Sequence, residues 1–439
     1  MTCPGGKEQP LDHQNGGESA VSTGSGAPRL WTRDFTILTL GSMVSLLGNA
    51  ISGFSMSLLV LDYTQSPFLY AIYIAVYTLP QVVMPVFSGA LLDRFSRRRM
   101  IYTLDFISAA LYAVAAFVLG KGWFSFPLLA FYCFLIGSIN SIYTVAYQSF
   151  YPLLISEGNY SKAYSISSVL ETLAVLMVPV ATFAYNQVGI APLLGVNAVL
   201  FAIAATVETQ IRADEKYIET QRQALEEAGK PSRHLLLSDI RDGFVYLRSE
   251  PGLTAIVIYF AISSFANGAA TVITLPYFKS TFQNGEYIFM LVWGMALVGR
   301  AVGGAFHYRK KIPTNRKFTI ALAVYVAIAL LEGSYFYFTI PVMMAMMFCT
   351  GLMGVTSYTI RISATQSYVP DEKKGRFNGA FNMLNTVGSF LGELSAGALT
   401  KLIPQRAVVS SYMGLLIVAA MAIIGGRRRH VAPIYNTHQ

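Results

Sequence analysis

The chain has 439 residues, a formal net charge of +9 at pH 7, and a composition that is 54% hydrophobic but only 13% charged. A soluble globular domain carries about twice that share of charged residues, so a water-soluble fold could not hide this much apolar surface. The composition therefore excludes an ordinary soluble protein and indicates a membrane protein.

The first 33 residues are polar and rich in Gly and Ser, which predicts a disordered tail. Twelve apolar segments follow, most of them longer than the roughly 20 residues that span a hydrocarbon core. The first of these is too long, and starts too late, for a cleaved secretory signal. The predicted spans cover residues 35–61, 68–92, 100–120, 126–149, 163–187, 190–209, 252–278, 286–307, 318–335, 339–367, 377–400 and 406–426. The sequence therefore predicts an all-α membrane protein of twelve helices.

Basic residues are distributed unevenly between the two sides of this span map. Of the 32 Lys and Arg residues, 26 fall in the two tails and the even-numbered loops. The positive-inside rule then predicts that both termini lie in the cytoplasm. Contact with anionic lipid at the bilayer surface accounts for the net positive charge, so we expect no nucleic-acid partner.

The sequence repeats itself weakly at an offset of 218 residues. Gln148, in Gln-Ser-Phe-Tyr-Pro, matches Gln366, in Gln-Ser-Tyr-Val-Pro, and at the same offset Asn49 matches Asn267. The matches fall at equivalent places of a six-plus-six arrangement, which predicts two pseudo-symmetric halves. The predicted organisation is a tail (1–33), a six-helix bundle (34–210), a cytoplasmic linker (211–250), a second six-helix bundle (251–427) and a cytoplasmic tail (428–439).

The loop between the second and third spans combines a glycine, an acid and several arginines. In chain order they are Gly89, Asp93, Arg94, Arg97, Arg98 and Arg99. This segment resembles the signature G-x-L-x-D-R-x-G-R-R-R of the major facilitator superfamily, with Ser96 in place of one glycine. The resemblance implies that the loop clamps a cytoplasmic gate and that Asp93 and Arg97 take part. The equivalent loop of the second half keeps glycines and bases but has no acid.

Further segments resemble the branch of that superfamily containing macrolide efflux proteins and enterobactin exporters. They include residues 61–67 and 369–376, and the resemblance extends over residues 35–426. It implies the major facilitator fold, with a substrate site between the two bundles, and a monomeric transporter working by alternating access. Drug antiporters of the superfamily carry a Gly-Pro pair in the fifth span, where this chain keeps Pro179 but no glycine. The direction of transport therefore stays open.

Four charged residues lie well inside predicted spans, where the insertion of each charge into the membrane costs about 2.5–3.5 kcal/mol of free energy. Each of them therefore requires a structural or functional explanation. Glu171 is the first candidate for proton coupling, and Asp105 is the second. Asp105 follows Arg99 by about one and a half turns, so a structural salt bridge is the expected role there. Arg300 and Arg361 are candidates for holding an anionic substrate group, or are structural partners of acids.

Polar residues in four spans are further candidates for the substrate cavity: Asn49, Asn267, Gln148 and Gln366. Asn49 belongs to a stripe of small and polar residues in the first span, which close helix packing would explain equally well. The resemblance places the first and seventh spans at the cavity.

The sequence favours a proton-coupled exporter of a small amphipathic molecule such as a drug, a macrolide or a siderophore-like compound. An importer, or a lysolipid or peptide transporter of the same fold, remains the alternative. All five histidines lie in tails or loops and no G-x-x-x-x-G-K-[ST] loop occurs, which argues against a membrane enzyme and an ATP-driven pump. A channel would lack the gate motif and the duplication. We expect no cofactor and no metal, and a location in a bacterial inner membrane.

Overall fold

The computed structural model describes residues 30–92, 96–156, 159–213, 241, 243, 245–309 and 312–436. Within that part of the chain, twelve long helices form two sets of six. The first set is α1 (Arg33–Thr64), α2 (Pro67–Leu92), α3 (Arg97–Gly120), α4 (Phe126–Phe150), α5 (Tyr160–Val188) and α6 (Ile190–Glu208). The second set is α7 (Pro251–Thr281), α8 (Gly285–Arg309), α9 (Lys317–Ser334), α10 (Ile340–Tyr368), α11 (Asp371–Leu399) and α12 (Gln405–Ala419), and a short helix, α13 (Arg428–Tyr435), follows.

Eleven of these twelve long helices are long and apolar enough to cross a membrane. The exception is α11, which has 29 residues but a more polar composition, and it occupies the position of the eleventh predicted span. The prediction of an all-α membrane protein is confirmed.

Local signals in the sequence set several helix ends. Thr32 caps α1 by accepting a hydrogen bond from the backbone N–H of Phe35, at 3.3 Å. Ser96 caps α3 in the same way, accepting from the N–H of Arg99 at 3.2 Å. Between α5 and α6, Gly189 has a φ of 77°, which lets the chain reverse in a single residue. Short connections of this kind make consecutive helices antiparallel.

The internal repeat is visible in the helix positions. The starts of α1 and α7, the starts of α2 and α8, and the ends of α4 and α10 are each separated by 218 residues. The same pairings recur in both halves: α2 packs on α4 as α8 packs on α10, and α3 packs on α6 as α9 packs on α12. The two sets are therefore pseudo-symmetric bundles, as the repeat predicts.

We call the two ends of the molecule the basic face and the opposite face. The basic face is the end where α1 and α3 begin and where α4, α6 and α10 finish. The opposite face is the end where α1 finishes and α2 begins. At the basic face α13 is packed against the second bundle, with Val431, Ile434 and Tyr435 buried and the Tyr435 hydroxyl 2.8 Å from that of Tyr325 in α9.

Helices α7 and α11 make the most extensive helix pairing in the molecule. Gly392 of α11 lies against the backbone of α7, and a Cβ at this position would collide with the carbonyl oxygen of Phe265. Gly379, on the same helix, has open space where a Cβ would stand. Small residues allow helix backbones to approach this closely in membranes.

We therefore expect Gly392→Ala to destabilise the protein while Gly379→Ala does not. The first change forces α7 and α11 apart, whereas the second is expected to be neutral or to stabilise α11 by up to about 1 kcal/mol through helix propensity. The measurement is the melting temperature of each purified variant and its yield as a monodisperse species. Equal melting temperatures for the two variants would contradict the close packing described here.

Candidate functional site

A cavity of about 630 Å³ lies in the first bundle between α1, α4 and α5. It extends from Asn49, near the middle of α1, to Gln148 and Tyr151 at the end of α4. Because α4 ends at the basic face, the cavity extends to that face. Its wall combines apolar side chains with hydroxyl and amide groups, as expected for a site that binds an amphipathic molecule.

Three of the sequence candidates line this cavity: Asn49, Gln148 and Glu171. The amide oxygen of Asn49 accepts a hydrogen bond from the hydroxyl of Tyr112 in α3, at 2.7 Å. Glu171 of α5 is exposed and lines the cavity. The structure thus brings together residues that are more than 120 positions apart in the sequence.

Aromatic side chains form one wall of the cavity. Tyr143, Tyr147 and Tyr151 follow each other along one face of α4 at intervals of four residues. Their rings stack, with centroids 6.2 Å apart for the first pair and 5.1 Å for the second. A ladder of tyrosines offers flat apolar surfaces with hydroxyl groups at their edges.

Asp105 occupies a buried position behind the cavity and is only 2% exposed. Its carboxylate accepts a hydrogen bond from the hydroxyl of Ser45 in α1, at 3.0 Å, and the carboxyl of Glu208 in α6 lies against Gly41, one turn earlier on α1. The expected salt bridge with Arg99 is not formed, since Arg99 is exposed at the start of α3. That expectation was wrong because Asp105 lies on the face of α3 that is directed towards α1 and α6.

Glu208 is a residue that the sequence analysis missed. It is 1% exposed, and neither of its carboxylate oxygens accepts a hydrogen bond from a residue that the structure describes. The sixth predicted span ends at residue 209, so an acid there resembled an ordinary boundary residue. A signal was nonetheless present, because a carboxylate in the last turn of a helix faces the negative end of the helix dipole and is disfavoured there.

Arg361 of α10 lies among aromatic rings in the second bundle. Its guanidinium carbon is 4.7 Å from the ring centroid of Phe381, 5.1 Å from that of Phe260 and 5.4 Å from that of Tyr358. No acid among the described residues pairs with it. The rings hold the planar group by cation–π contacts and leave its N–H donors available.

The other candidates are more scattered. Arg300 of α8 is exposed, and Asn267 of α7 is exposed and donates to the carbonyl oxygen of Ser263, at 2.8 Å. Neither lines the cavity of the first bundle. Gln366 lies near the end of α10, but its side chain is outside the described part of the structure.

The gate motif is described only in part. Asp93 and Arg94 lie outside the described residues, as do the surroundings of Gly89. Arg97 donates to the carbonyl oxygen of Ser149 near the end of α4, at 2.9 Å, and Arg98 donates to that of Ile211 just after α6, at 2.7 Å. These two arginines therefore tie the start of α3 to the ends of two neighbouring helices at the basic face.

At the opposite face, side chains of the two bundles are joined directly. Asp62, at the end of α1, forms an ion pair with Lys279, at the end of α7, with 2.6 Å between Nζ and Oδ1. The hydroxyl of Tyr185 in α5 donates to the other oxygen of Asp62, at 2.7 Å. The amide of Asn186 donates to the hydroxyl of Tyr287 in α8, at 3.1 Å.

More contacts between the bundles lie near this face. The ammonium group of Lys401 lies 3.4 Å from the ring centroid of Phe68 at the start of α2. Deeper in the molecule, the rings of Phe54 in α1 and Phe289 in α8 stack with centroids 6.1 Å apart. Contacts between the halves therefore join the two bundles at the opposite face, while the cavity extends to the basic face.

Known structures share this architecture. The crystal structure of a bacterial homologue of the iron transporter ferroportin in the inward-facing state matches with a TM-score of 0.64 and 14% identity, over 92% of this chain and 99% of that one. The nucleoside transporter NupG matches with a TM-score of 0.62 and 14% identity, over 90% of this chain and 99% of that one. At these identities the likeness shows the fold alone.

Sequence relatives and a family model agree with this fold. An uncharacterized MFS-type transporter YkuC of Bacillus subtilis is 23% identical over 302 residues, covering 67% of this chain and 69% of the relative. Macrolide efflux protein A of Streptococcus pyogenes is 23% identical over 338 residues, covering 74% and 78%. The model of the Major Facilitator Superfamily matches residues 38–393. The chain therefore belongs to the Major Facilitator Superfamily, a family of transporters and not of enzymes.

Proposed function

We propose that this protein is a secondary active transporter that exports a small amphipathic molecule in exchange for protons. The observation that carries the proposal is the asymmetry of the two faces. A cavity of about 630 Å³ opens at the basic face, and the Asp62–Lys279 ion pair joins the two bundles at the opposite face. Alternating access requires such a state and a second one in which the closed and open faces are exchanged.

The orientation of the molecule follows from its basic residues. Both described ends of the chain and the arginines that begin α3 lie at the basic face, and the positive-inside rule assigns that face to the cytoplasm. Substrate then loads from the cytoplasm in the state described here. The similarity to macrolide efflux protein A supports the export direction and a location in a bacterial plasma membrane.

The chemistry of the cavity indicates the class of substrate. The tyrosine ladder of α4 suits flat or ring-shaped apolar bodies, and Asn49 and Gln148 supply hydrogen bonds. In the second bundle Arg361 offers free guanidinium donors at a comparable depth from the basic face. We propose that it receives an acidic or electron-rich group of the substrate when the two bundles close on it.

The gate motif fits the same scheme. Arg97 and Arg98 anchor the start of α3 to the ends of α4 and α6. Such contacts make the basic face of the first bundle move as one rigid body. We propose that this rigid unit forms the cytoplasmic gate, with Gly89, Asp93 and Arg94 contributing as the family motif implies.

The energy source follows from the acids inside the first bundle. Glu171 lines the cavity and Asp105 lies behind it, so a proton on either would couple its charge to the occupancy of the site. No nucleotide-binding motif is present to supply energy from ATP. We therefore propose protons as the coupling ion.

Susceptibility profiling of a bacterial strain that lacks its own exporters tests the function. The strain expresses the chain, and growth inhibition is measured for a panel of macrolides, siderophore-like compounds and other amphipathic molecules. We expect protection against some of them and lower cellular accumulation, which a protonophore abolishes. Higher accumulation in expressing cells would overturn the export direction and indicate an importer. Protection that survives the protonophore would overturn the proton coupling.

A further inference from the structure

Two carboxyl groups from different helices meet in the interior of the first bundle. Asp105 of α3 is 2% exposed and accepts a hydrogen bond from Ser45 of α1, and Glu208 of α6 is 1% exposed and has its carboxyl against Gly41, one turn before Ser45 on the same helix. Gly41 of α1 closes the site from the third side, and any side chain at this position would collide with the Glu208 carboxyl. The site is therefore built by three helices and not by the end of one.

The hydrogen-bond donors around this pair are too few for two ionised acids. Ser45 donates to Asp105, and no described residue donates to Glu208. A carboxylate only accepts hydrogen bonds, so two ionised carboxylates cannot bond to each other. Like charges on neighbouring side chains that are removed from water also repel strongly, and pairs of acids of this kind elsewhere hold one proton between them.

The other titratable or charged groups that face the pair leave this conclusion unchanged. Helix α4 contributes the hydroxyl of Tyr143, which is buried and has no hydrogen-bond partner among the described residues, and α3 contributes Tyr112, which donates to Asn49. Helix α1 contributes Gly41 and the hydroxyl of Ser45. No described lysine, arginine or histidine forms an ion pair with either acid.

The second bundle shows that the fold does not need these acids. At the repeat offset of 218 residues, Asp105 corresponds to Ala323 of α9, and Glu208 corresponds to Gly426, just beyond α12. The same pair of helices therefore packs in the second bundle without a carboxyl group at either of these two positions. A pair of buried acids that the architecture does not require, and that costs free energy to bury, points to a function.

We infer that Asp105 and Glu208 form a proton-binding site that holds one shared proton in the state open to the basic face. Because Ser45 lines the cavity and also donates to Asp105, occupancy of the cavity and occupancy of this site are linked through one side chain. In the proposed exporter, on which this second step rests, the pair and not Glu171 carries the coupling proton. Release of the proton would leave two facing carboxylates, whose repulsion drives α3 and α6 apart and favours a change of state.

Infrared spectroscopy tests the proton-binding site without any transport substrate. Wild-type protein in lipid nanodiscs is compared at neutral pH with Glu208→Gln and with Asp105→Asn. Each difference spectrum is expected to contain the carbonyl band of a protonated carboxylic acid. In either variant the new amide donates a hydrogen bond to the remaining carboxyl group. That group can then ionise, so the band of the wild type is lost. Incorporation of ¹³C-labelled glutamate shifts the band if Glu208 holds the proton. The absence of the band from both difference spectra would overturn the inference.

Three variants serve as controls. Glu171→Gln changes an exposed acid at the cavity, and Glu393→Gln changes a buried acid of the second bundle, so neither should remove the band assigned to the pair. If an amide variant does not fold, Glu208→Asp keeps the acid and should shift the band without removing it. Loss of the same band in Glu171→Gln would overturn the assignment to Asp105 and Glu208.

The coupling step has a separate readout in proteoliposomes. An exported compound identified by susceptibility profiling is transported with and without an imposed pH gradient. In Glu208→Gln the stimulation of transport by the gradient is expected to fall about tenfold or more, while Glu393→Gln, which changes a buried acid of the second bundle, keeps it. If the difference spectra contain the band but the pH gradient stimulates transport by Glu208→Gln as much as by the wild type, the role of the pair in coupling would be overturned. A complete lack of transport by the wild type would instead remove the proposed function and leave the infrared result untouched.

Discussion

Cross-linking of positions 62 and 279 is expected to abolish transport completely. Asp62 and Lys279 join the ends of α1 and α7 at the opposite face, and these helices belong to different bundles. A covalent link would hold that face closed, so substrate loaded at the basic face could not leave. The experiment uses Asp62→Cys with Lys279→Cys and a short bifunctional thiol reagent, because an extended lysine side chain usually separates two backbones by more than the ~7 Å that a disulfide bridges.

The matched control links two positions of the same bundle. Tyr185 of α5 also contacts Asp62, so Asp62→Cys with Tyr185→Cys places a cross-link at the same face without joining the halves. Both pairs also carry Cys349→Ser and Cys3→Ser, so that the reagent does not react with these native cysteines. Cys349 is exposed, whereas Cys133 is buried and can be kept. We expect the control to keep its transport after cross-linking. Full transport by the linked 62–279 pair would contradict the exchange of open and closed faces.

Removal of one charge of the ion pair should have a far smaller effect than the cross-link. Asp62 and Lys279 side chains are 39% and 22% exposed, and exposed ion pairs contribute about 0–1 kcal/mol. The ion pair therefore contributes to the free-energy difference between the two states but does not by itself hold the face closed. This is why the covalent link, and not a charge deletion, is the decisive measurement.

Replacement of Arg361 by glutamine is expected to weaken the transport of acidic substrates about ten- to hundredfold while neutral analogues are unaffected. A hydrogen bond to a charged group contributes about 1.5–3 kcal/mol, and each 1.4 kcal/mol is a factor of ten in affinity. The rings of Phe260, Tyr358 and Phe381 hold the guanidinium in place without an acid partner among the described residues. The measurement is the apparent KM for a free carboxylic acid and for its methyl ester.

Two further variants separate charge from geometry. Arg361→Lys keeps the charge but loses the planar fork, so it should recover only part of the preference for the acid over the ester. Arg406→Gln removes an arginine that also lies over a ring, that of Tyr337, but near the opposite face, and should leave the preference unchanged. An equal loss for acid and ester in Arg361→Gln would show that Arg361 supports the structure of the second bundle instead of binding substrate.

Much of the architecture could be predicted because its physical basis lies along the chain. Apolar length predicts spans, and the 218-residue offset predicts where α7, α8 and the end of α10 fall. Helix ends carry local signals such as Thr32 and Ser96, which cap α1 and α3. The family signature between α2 and α3 predicts the superfamily, which the family model confirms.

The contacts within the site could not be predicted in the same way. Nearly every face of a membrane helix is apolar, so periodicity does not reveal how the helix is rotated about its axis. Asp105 therefore appeared able to reach Arg99, whereas the structure turns it towards Ser45 and Glu208. Asn49 and Asn267 are equivalent in the repeat, yet only Asn49 lines the cavity of the first bundle. Such differences depend on packing between distant segments.

The polar composition of α11 has a consequence for how the protein is synthesised. This helix carries Asn378, Asn382, Asn385 and Glu393, and it is the one among the twelve long helices whose composition is too polar for it to be recognised as a membrane span. Asn385 accepts a hydrogen bond from Ser264 of α7, at 3.1 Å, and Gly392 lies against the backbone of the same helix. We therefore expect α11 to depend on α7 for its insertion into the lipid, because α7 supplies a hydrogen-bond partner and a close backbone contact to the polar helix.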